Sequence, residues 1–513
     1  MRSPEFQQLI ELVDIITKYK VRQIEVIGNP KNNGGDASRY WDFYEKLSDG
    51  ILQNDSEAAI HFGLDEDSRN YRRLREGLLE KLLNTLIFVD VTNSEFYPSQ
   101  IAYYSLWKEY AALKIAHGRG GRFISINLAK KLLKTAMRFE FTEATVDLAR
   151  ILKSYYSKDP EKQKEYGEYS EIMWQNLKMQ EYEILAQECY EKLIMPYVVT
   201  KAPKEETSKL AHEYIEKLDQ TPKTLRTRMF QIYYYSIKVA EVMSANQWKT
   251  TVEVCEEAIQ ILGKDESFSK RVISLFLHQQ IVAFTMLGNY QKAEEKVLES
   301  LRHLPAYSNN WFKAHELYIM LLLHSDQFQK AWETSKPLLK HPRMESLYQP
   351  DKEMWRVYEA YLHLLVALDK IQLSPREKGE SKKFRVSKLL NEVPVFSKDK
   401  RGMNIPLLIV QIFFLLLDDR FDEADYRIEA VMKYYQRHLK EDDQSYRTNC
   451  FLKMLEALKS SGFDKRIAPE KIESWMSKLE KIPLDISSQA HEIEVIPYPR
   501  QWQLGLECLV KGR

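Results

Sequence analysis

Apolar residues along this chain recur mostly at helical spacing, in segments parted by short polar or glycine turns. Leu9, Ile10, Leu12, Val13, Ile15 and Ile16 give Phe6 to Tyr19 one apolar face, which predicts a helix. A second helix is predicted over Ser38 to Ser48, and a third over Arg69 to Phe88, where Leu74, Leu78, Leu82 and Leu86 form a stripe spaced by four. Val21 to Gly28 alternates instead, the one convincing strand signal near the N-terminus, and a turn cluster follows it over Asn29 to Asp36. From Ser99 onward the pattern is continuous helical hairpins, beginning with Ser99 to His117 and Arg122 to Arg138. Their connection, Gly118-Arg119-Gly120-Gly121, reads as a helix end and a turn. It lacks the Gly-Lys-Ser/Thr ending of a phosphate loop. Junctions are expected at Tyr156 to Pro160 and Thr200 to Glu206, and a mobile insertion at Leu373 to Ser387. In the tail, Tyr446 to Ser460 and Pro469 to Glu480 read as helices, and Glu492 to Pro499 as an extended edge piece. Trp502, Leu504 and Leu506 are expected to cap the exposed end of the array.

A longer period overlies the helical one. Between Leu225 and Pro342 an aromatic residue followed three positions later by a small one opens successive helices: Trp248 with Thr251, Tyr290 with Ala293, Phe328 with Ala331. The aromatics stand 42 and 38 residues apart, about one helix pair each. The same pattern occurs at Phe141 with Ala144 and at Phe421 with Ala424, with a weaker echo at Tyr182 with Leu185 and Ala186.

Around Tyr290 the second helix carries Gly288, Tyr290, Ala293, Val297, Ser300 and Pro305 in the order and spacing of the tetratricopeptide repeat (TPR), which this unit resembles. Phe328/Ala331/Ser335/Leu338 and Phe421/Ala424/Ile428/Val431 share that spacing, and Trp248/Thr251/Cys255/Ala258 shares it with Thr in place of Ala. The first helices depart from the repeat's Trp-x-x-Leu-Gly-x-x-Tyr pattern, and several units exceed its 34 residues. Small residues suit close helix crossings, the aromatic fills the wedge between hairpins, and Pro ends the second helix. The expected fold is all-α: a TPR-like α-solenoid over residues 96–460, a mostly helical N-terminal domain over 1–95, and a C-terminal capping segment over 461–513. What the resemblance implies is a superhelix whose concave face binds a protein or peptide, with no catalysis.

Composition agrees with a helical array. The chain has 513 residues but only 17 Gly and 18 Pro, with 29% charged residues. A solenoid can reach this length because each repeat packs only on its neighbours. Lys and Arg number 75 against 74 Asp and Glu, so no global field recruits nucleic acid or acidic lipid. Cys189, Cys255, Cys450 and Cys508 are far apart and form no CxxC, which favours free buried thiols in a reducing compartment. The opening residues carry no apolar signal region, and the apolar run Ile405 to Leu417 contains Gln411 and is too short to span a bilayer. The chain is therefore expected to be cytoplasmic.

Candidate chemistry is sparse. The eleven histidines are scattered and none forms HExxH. No GxSxG, Walker or dinucleotide glycine pattern occurs, so no enzyme activity, cofactor or metal is expected. The segment Asp55 to Phe88 is somewhat like a helix-turn-helix, with Arg69, Arg72, Arg73 and Arg75 opening its second helix. Asp65-Glu66-Asp67 in the turn would repel phosphate, which disfavours nucleic acid. Tyr233-Tyr234-Tyr235 cannot all face one core, because three successive helical positions cover most of the circumference. Most of these tyrosines are expected to pack between repeats, with at least one facing the groove or solvent; Gln231, Tyr235, Lys238, Gln279, Gln280, Asn309 and Asn310 are candidate groove residues. The expected function is a non-enzymatic scaffold or adaptor for a protein or peptide. The alternative is a regulator in which the solenoid senses and the N-terminal domain binds DNA or an effector. No membrane partner is expected, and self-association is left open.

Overall fold

The computed structural model describes residues 3–18, 36–87, 97–199, 204–264, 270–375, 377, 404–438, 446–464, 468–482, 484 and 494–511. Among the described residues there are 21 α-helices and no strand. The strand expected over Val21 to Gly28, its turn cluster as far as residue 35, and most of the insertion expected over Leu373 to Ser387 lie outside the described residues. The chain divides into two compact units, Met1–Trp174 and Gln175–Arg513, and the division falls inside α8 (Gln163–Val199).

The first unit contains two hydrophobic cores. One is shared by α1 (Pro4–Lys18), α2 (Asp36–Ser48), α3 (Asp55–His61) and α4 (Arg69–Leu86), where Leu74, Leu78 and Leu82 are buried as their spacing predicts. The other joins α5 (Pro98–Gly118), α6 (Arg122–Arg138), α7 (Thr142–Tyr156) and the start of α8.

The second unit continues α8 into α9 (Lys204–Asp219). Helix pairs follow: α10 (Arg228–Ser244) with α11 (Trp248–Leu262), α12 (Lys270–Met286) with α13 (Tyr290–His303), and α14 (Asn309–His324) with α15 (Phe328–Leu339). Then come α16 (Gln349–Ala367), the pair α17 (Asn404–Leu417) with α18 (Phe421–His438), and α19 (Tyr446–Ser460), α20 (Ala468–Lys481) and α21 (Tyr498–Lys511). From α9 to α20 neighbours in sequence pack on one another, and α12 also touches α14, the first helix of the next pair. This arrangement is compatible with a helical repeat.

The turn inside each pair has one geometry. Three residues separate the helices at 245–247, 287–289, 325–327 and 418–420, and the middle one has positive φ: Asn246 (56°), Gly288 (69°), Asp326 (56°) and Asp419 (58°). Gly, Asn and Asp tolerate that left-handed conformation best. The residue after it donates its N–H five positions back, as in Gln247 to the Val242 carbonyl (2.8 Å) and Gln327 to that of Leu322 (2.9 Å), closing the first helix. The aromatic then starts the second helix, and the small residue three positions on is fully buried in each unit: Thr251, Ala293, Ala331 and Ala424. The turn of α6 into α7 is also three residues, with Glu140 in the left-handed position, but there the aromatic Phe141 follows one step earlier. Tyr182 differs again: it lies in the middle of α8, so the weak echo read there marks no helix start.

Two readings of the tail are revised. Residues 494–497 form no strand, and Trp502, Leu504 and Leu506 stand on a helix, α21. That helix packs on α17, and Trp502 and Leu504 are buried in the largest core of the unit. The tail is core, because α17 is buried on every side from residue 405 to 416 and takes a second cover. Gly505 permits the approach: a Cβ there would come within 2.9 Å of Phe413 Cε1, on a ring that is itself buried. Gly505→Ala is expected to lose about 1–3 kcal/mol to overpacking, less the roughly 1 kcal/mol that alanine gains in a helix. A thermal melt of the variant no lower than that of the parent would refute this contact.

Candidate functional site

The predicted groove residues fall on three first helices. Thr227 caps α10 by accepting the Phe230 amide proton (3.3 Å), and the spacing of Gln231, Tyr235 and Lys238 places them on one face. Tyr235 is buried, and its hydroxyl donates to Glu257 Oε1 on α11 at 2.7 Å. Tyr234 likewise donates to Asp219 Oδ1 at 2.8 Å. Burial and the adjoining carboxylates push both phenols above their ordinary range. The Lys238 ammonium lies 5.5 Å from the centre of each ring and 3.8 Å from Glu257 Oε2. Arg226 covers Tyr234 from 5.4 Å and donates to the carbonyls of Asp219 (2.9 Å) and Thr221 (3.0 Å). The triple tyrosine is therefore largely a packing element: Tyr234 and Tyr235 are buried, and Tyr233 is half-buried with its ring 5.6 Å from that of Tyr190. Gln231 and Lys238 keep partial exposure.

On α12, Gln279 is half-buried and Gln280 is fully buried. Gln280 Nε2 reaches the Val252 carbonyl at 3.4 Å, while its Oε1 has no hydrogen-bond partner. A buried Gln280 side chain has no surface to offer a partner, and neither has Tyr235 beyond a sliver. Leucine at position 280 would remove the unsatisfied oxygen along with a long hydrogen bond. Gln280→Leu is expected to leave stability within about 1 kcal/mol of the parent or raise it. A loss well beyond that in urea unfolding would show that the amide does more than fill space. Asn309 and Asn310 are exposed in the first turn of α14, behind the Ser308 cap.

The same helices and their flanking turns carry residues that sequence reading did not select. Lys313 Nζ lies 2.6 Å from Glu316 Oε1 on α14, a pair its three-residue spacing could have disclosed. His278 on α12 is pushed down to about 4 by burial and by Lys313, a neighbour no local pattern could supply. His315 donates from Nδ1 to the Trp311 carbonyl (3.0 Å) and lies 3.9 Å from the Trp311 ring, while Tyr307 and His341 stack at 3.9 Å. Trp311 and His315 fall on the side of α14 opposite Lys313, so this first helix carries polar and aromatic groups on more than one face.

Elsewhere the chemistry is structural. In α4, Arg75 (2.9 Å) and Tyr71 (2.8 Å) donate to the buried Asp55, which Ser3 also reaches. Arg69, Arg72 and Arg73 are exposed. An open cleft of about 650 Å³ between α18 and α19 has a floor of Phe421, Ile428, Met432 and Phe463, and its acids Asp425 and Glu429 already hold Lys459. All four cysteines are buried. Among the described residues no group of three or more His, Cys, Asp or Glu is placed to hold a metal ion, and no helix is long and apolar enough to cross a membrane. No family model, no curated protein and no solved structure matches the chain.

Proposed function

We propose that the chain is a non-enzymatic scaffold, a TPR-like solenoid that holds a protein or peptide partner along its first helices and works in the cytoplasm. The observation that carries this reading is the recurrence of one turn geometry and one buried small residue in successive pairs. Equal turns present the first helix of each pair in the same way, and α12 against α14 is the contact such a stack requires. First-helix residues that stay half-buried include Gln231, Lys238, Gln279, Trp311 and His315. Aromatic and polar groups of this kind hold a partner at modest entropic cost, because neighbours already restrain them. The buried, widely separated cysteines are consistent with a reducing compartment.

A photo-crosslinking residue tests the face. It would be placed in the full chain at Gln279 or Lys313 on first helices, and at the exposed Glu295 or Glu333 on second helices. In the native host, a protein adduct is expected from the first pair of positions and not from the second. Adducts confined to positions 295 and 333 would reject the first-helix assignment. A partner that copurifies yet crosslinks from none of the four would do the same.

A further inference from the structure

The hairpin of α5 and α6 is unlike the rest of this electrically neutral chain. Residues 98–138 carry eight Lys and Arg against a single acid, Glu109. Lys131 pairs with Glu109 and Lys114 with Asp147, both at 2.7 Å. The other six have no acidic partner among the described residues. Three of them lie over aromatic rings instead: Arg122 on Tyr155, Lys130 on Tyr156 and Arg138 on Phe139.

At one end of this basic hairpin three large apolar side chains face solvent: Phe123 is 81% exposed, Ile115 68% and Ile124 58%. They lie on either side of the Gly118-Arg119-Gly120-Gly121 turn, where Gly120 adopts φ +80°. A Cβ on Gly121 would meet Ile124 Cγ2 at 3.0 Å and the Ala116 carbonyl at 3.1 Å, so Ile124 lies close to the last turn of α5. Arg119 and Arg122 are exposed at the same end, and the first turn of α6 has no side-chain cap.

We propose that this tip docks the protein peripherally on an anionic lipid surface, with Ile115, Phe123 and Ile124 entering the headgroup region and Arg119 and Arg122 meeting lipid phosphates. The proposal is independent of the scaffold reading and departs from the expectation that no membrane is involved. Charge complementarity selects an anionic partner, and the apolar tip selects among anions. Nucleic acid makes little use of exposed isoleucine, since its contacts are phosphates, base edges and stacking faces. A stable protein interface buries roughly 800 Å² on each side, far more than three side chains offer. A bilayer needs only a few inserted chains, because cationic residues near its surface add to the binding separately.

Co-sedimentation of the full chain with vesicles tests this. Binding is expected to vesicles of 70:30 phosphatidylcholine and phosphatidylserine at low salt, with little to phosphatidylcholine alone. Phe123→Asp with Ile124→Asp is expected to weaken binding at least tenfold. Arg119→Glu with Arg122→Glu is expected to weaken it by roughly fivefold or more for each charge. Circular dichroism should match the parent in both, since these side chains are exposed. The proposal is overturned by absence of binding to anionic vesicles, or by equal binding of both double variants. Capture of duplex DNA or polyglutamate in place of vesicles would also overturn it.

Discussion

Glu494→Ala is expected to lower the stability of the second unit by about 3–5 kcal/mol, the usual cost of leaving one member of a buried ion pair alone. Arg447 grips the Glu494 carboxylate from two nitrogens, with Nη2 3.1 Å from Oε2, and both side chains are almost wholly buried. The same guanidinium donates to the carbonyls of Leu479 (2.9 Å) and Ile482, at the end of α20. Glu494 Oε2 accepts the Tyr498 amide at 2.9 Å and so fixes the start of α21, while the Glu494 carbonyl accepts from His324 Nε2 at 2.7 Å. Alanine would strand a desolvated guanidinium and release the first turn of α21 together. Glu494→Leu with Arg447→Met should recover only part of the loss, because the two carbonyls at the end of α20 would still lose their donor. The measurement is urea unfolding of the full chain, following the transition of the second unit. A loss below about 1 kcal/mol would falsify the description of this pair as desolvated.

Acid should weaken the same region before most carboxylates titrate. His324 is fully enclosed, and burial is the chief cause that pushes it down to about 4, with Arg447 acting in the same direction. The folded ring holds its proton less tightly than the unfolded ring, so the unfolded chain is protonated first as pH falls. Stability is complete above about 6.5 and declines as pH drops toward 4; this histidine alone should cost about 2 kcal/mol at pH 5 and about 3 kcal/mol near pH 4. His278 and His363 are each pushed down to about 4 as well, mainly by burial, and add to the slope with the same sign. His324→Gln can keep a donor to the Glu494 carbonyl but cannot titrate. Between pH 6.5 and 5 its urea midpoint should fall less steeply than that of the parent. Identical slopes would mean that the ring is already charged when folded.

The helices were legible because burial here follows the local period. Leu74, Leu78 and Leu82, and the small residues at 251, 293, 331 and 424, occupy the interior their spacing assigns them. Positions that depend on distant chain were not legible. Glu494 meets an arginine 47 residues away and a histidine 170 residues away, and nothing in its own neighbourhood announces either. For the same reason Glu492 to Pro499 looked like an edge strand and α21 like an outer cap. Two of the seven groove candidates, Tyr235 and Gln280, are buried for a different reason. A polar side chain on a helix may serve solvent or a neighbouring helix, and sequence spacing cannot tell Gln279, which keeps some exposure, from Gln280, which has none. The hydroxyl of Tyr235, a candidate groove group, is taken up by Glu257 on the adjoining helix.

The three-residue turn has a consequence for how this chain tolerates change in length. Within pairs the count is fixed, because a left-handed residue must sit between a closing hydrogen bond and the aromatic that opens the next helix. Between pairs the joins differ, with five residues separating α13 from α14 and nine separating α15 from α16. The molecule thus has stiff joints and adjustable ones in alternation. An added residue at an adjustable joint lengthens a surface loop, whereas one at a stiff joint rotates a whole helix by about 100° and turns its small buried residue out of the core. Whole pairs can therefore be exchanged or grafted as cassettes, provided every cut falls between them.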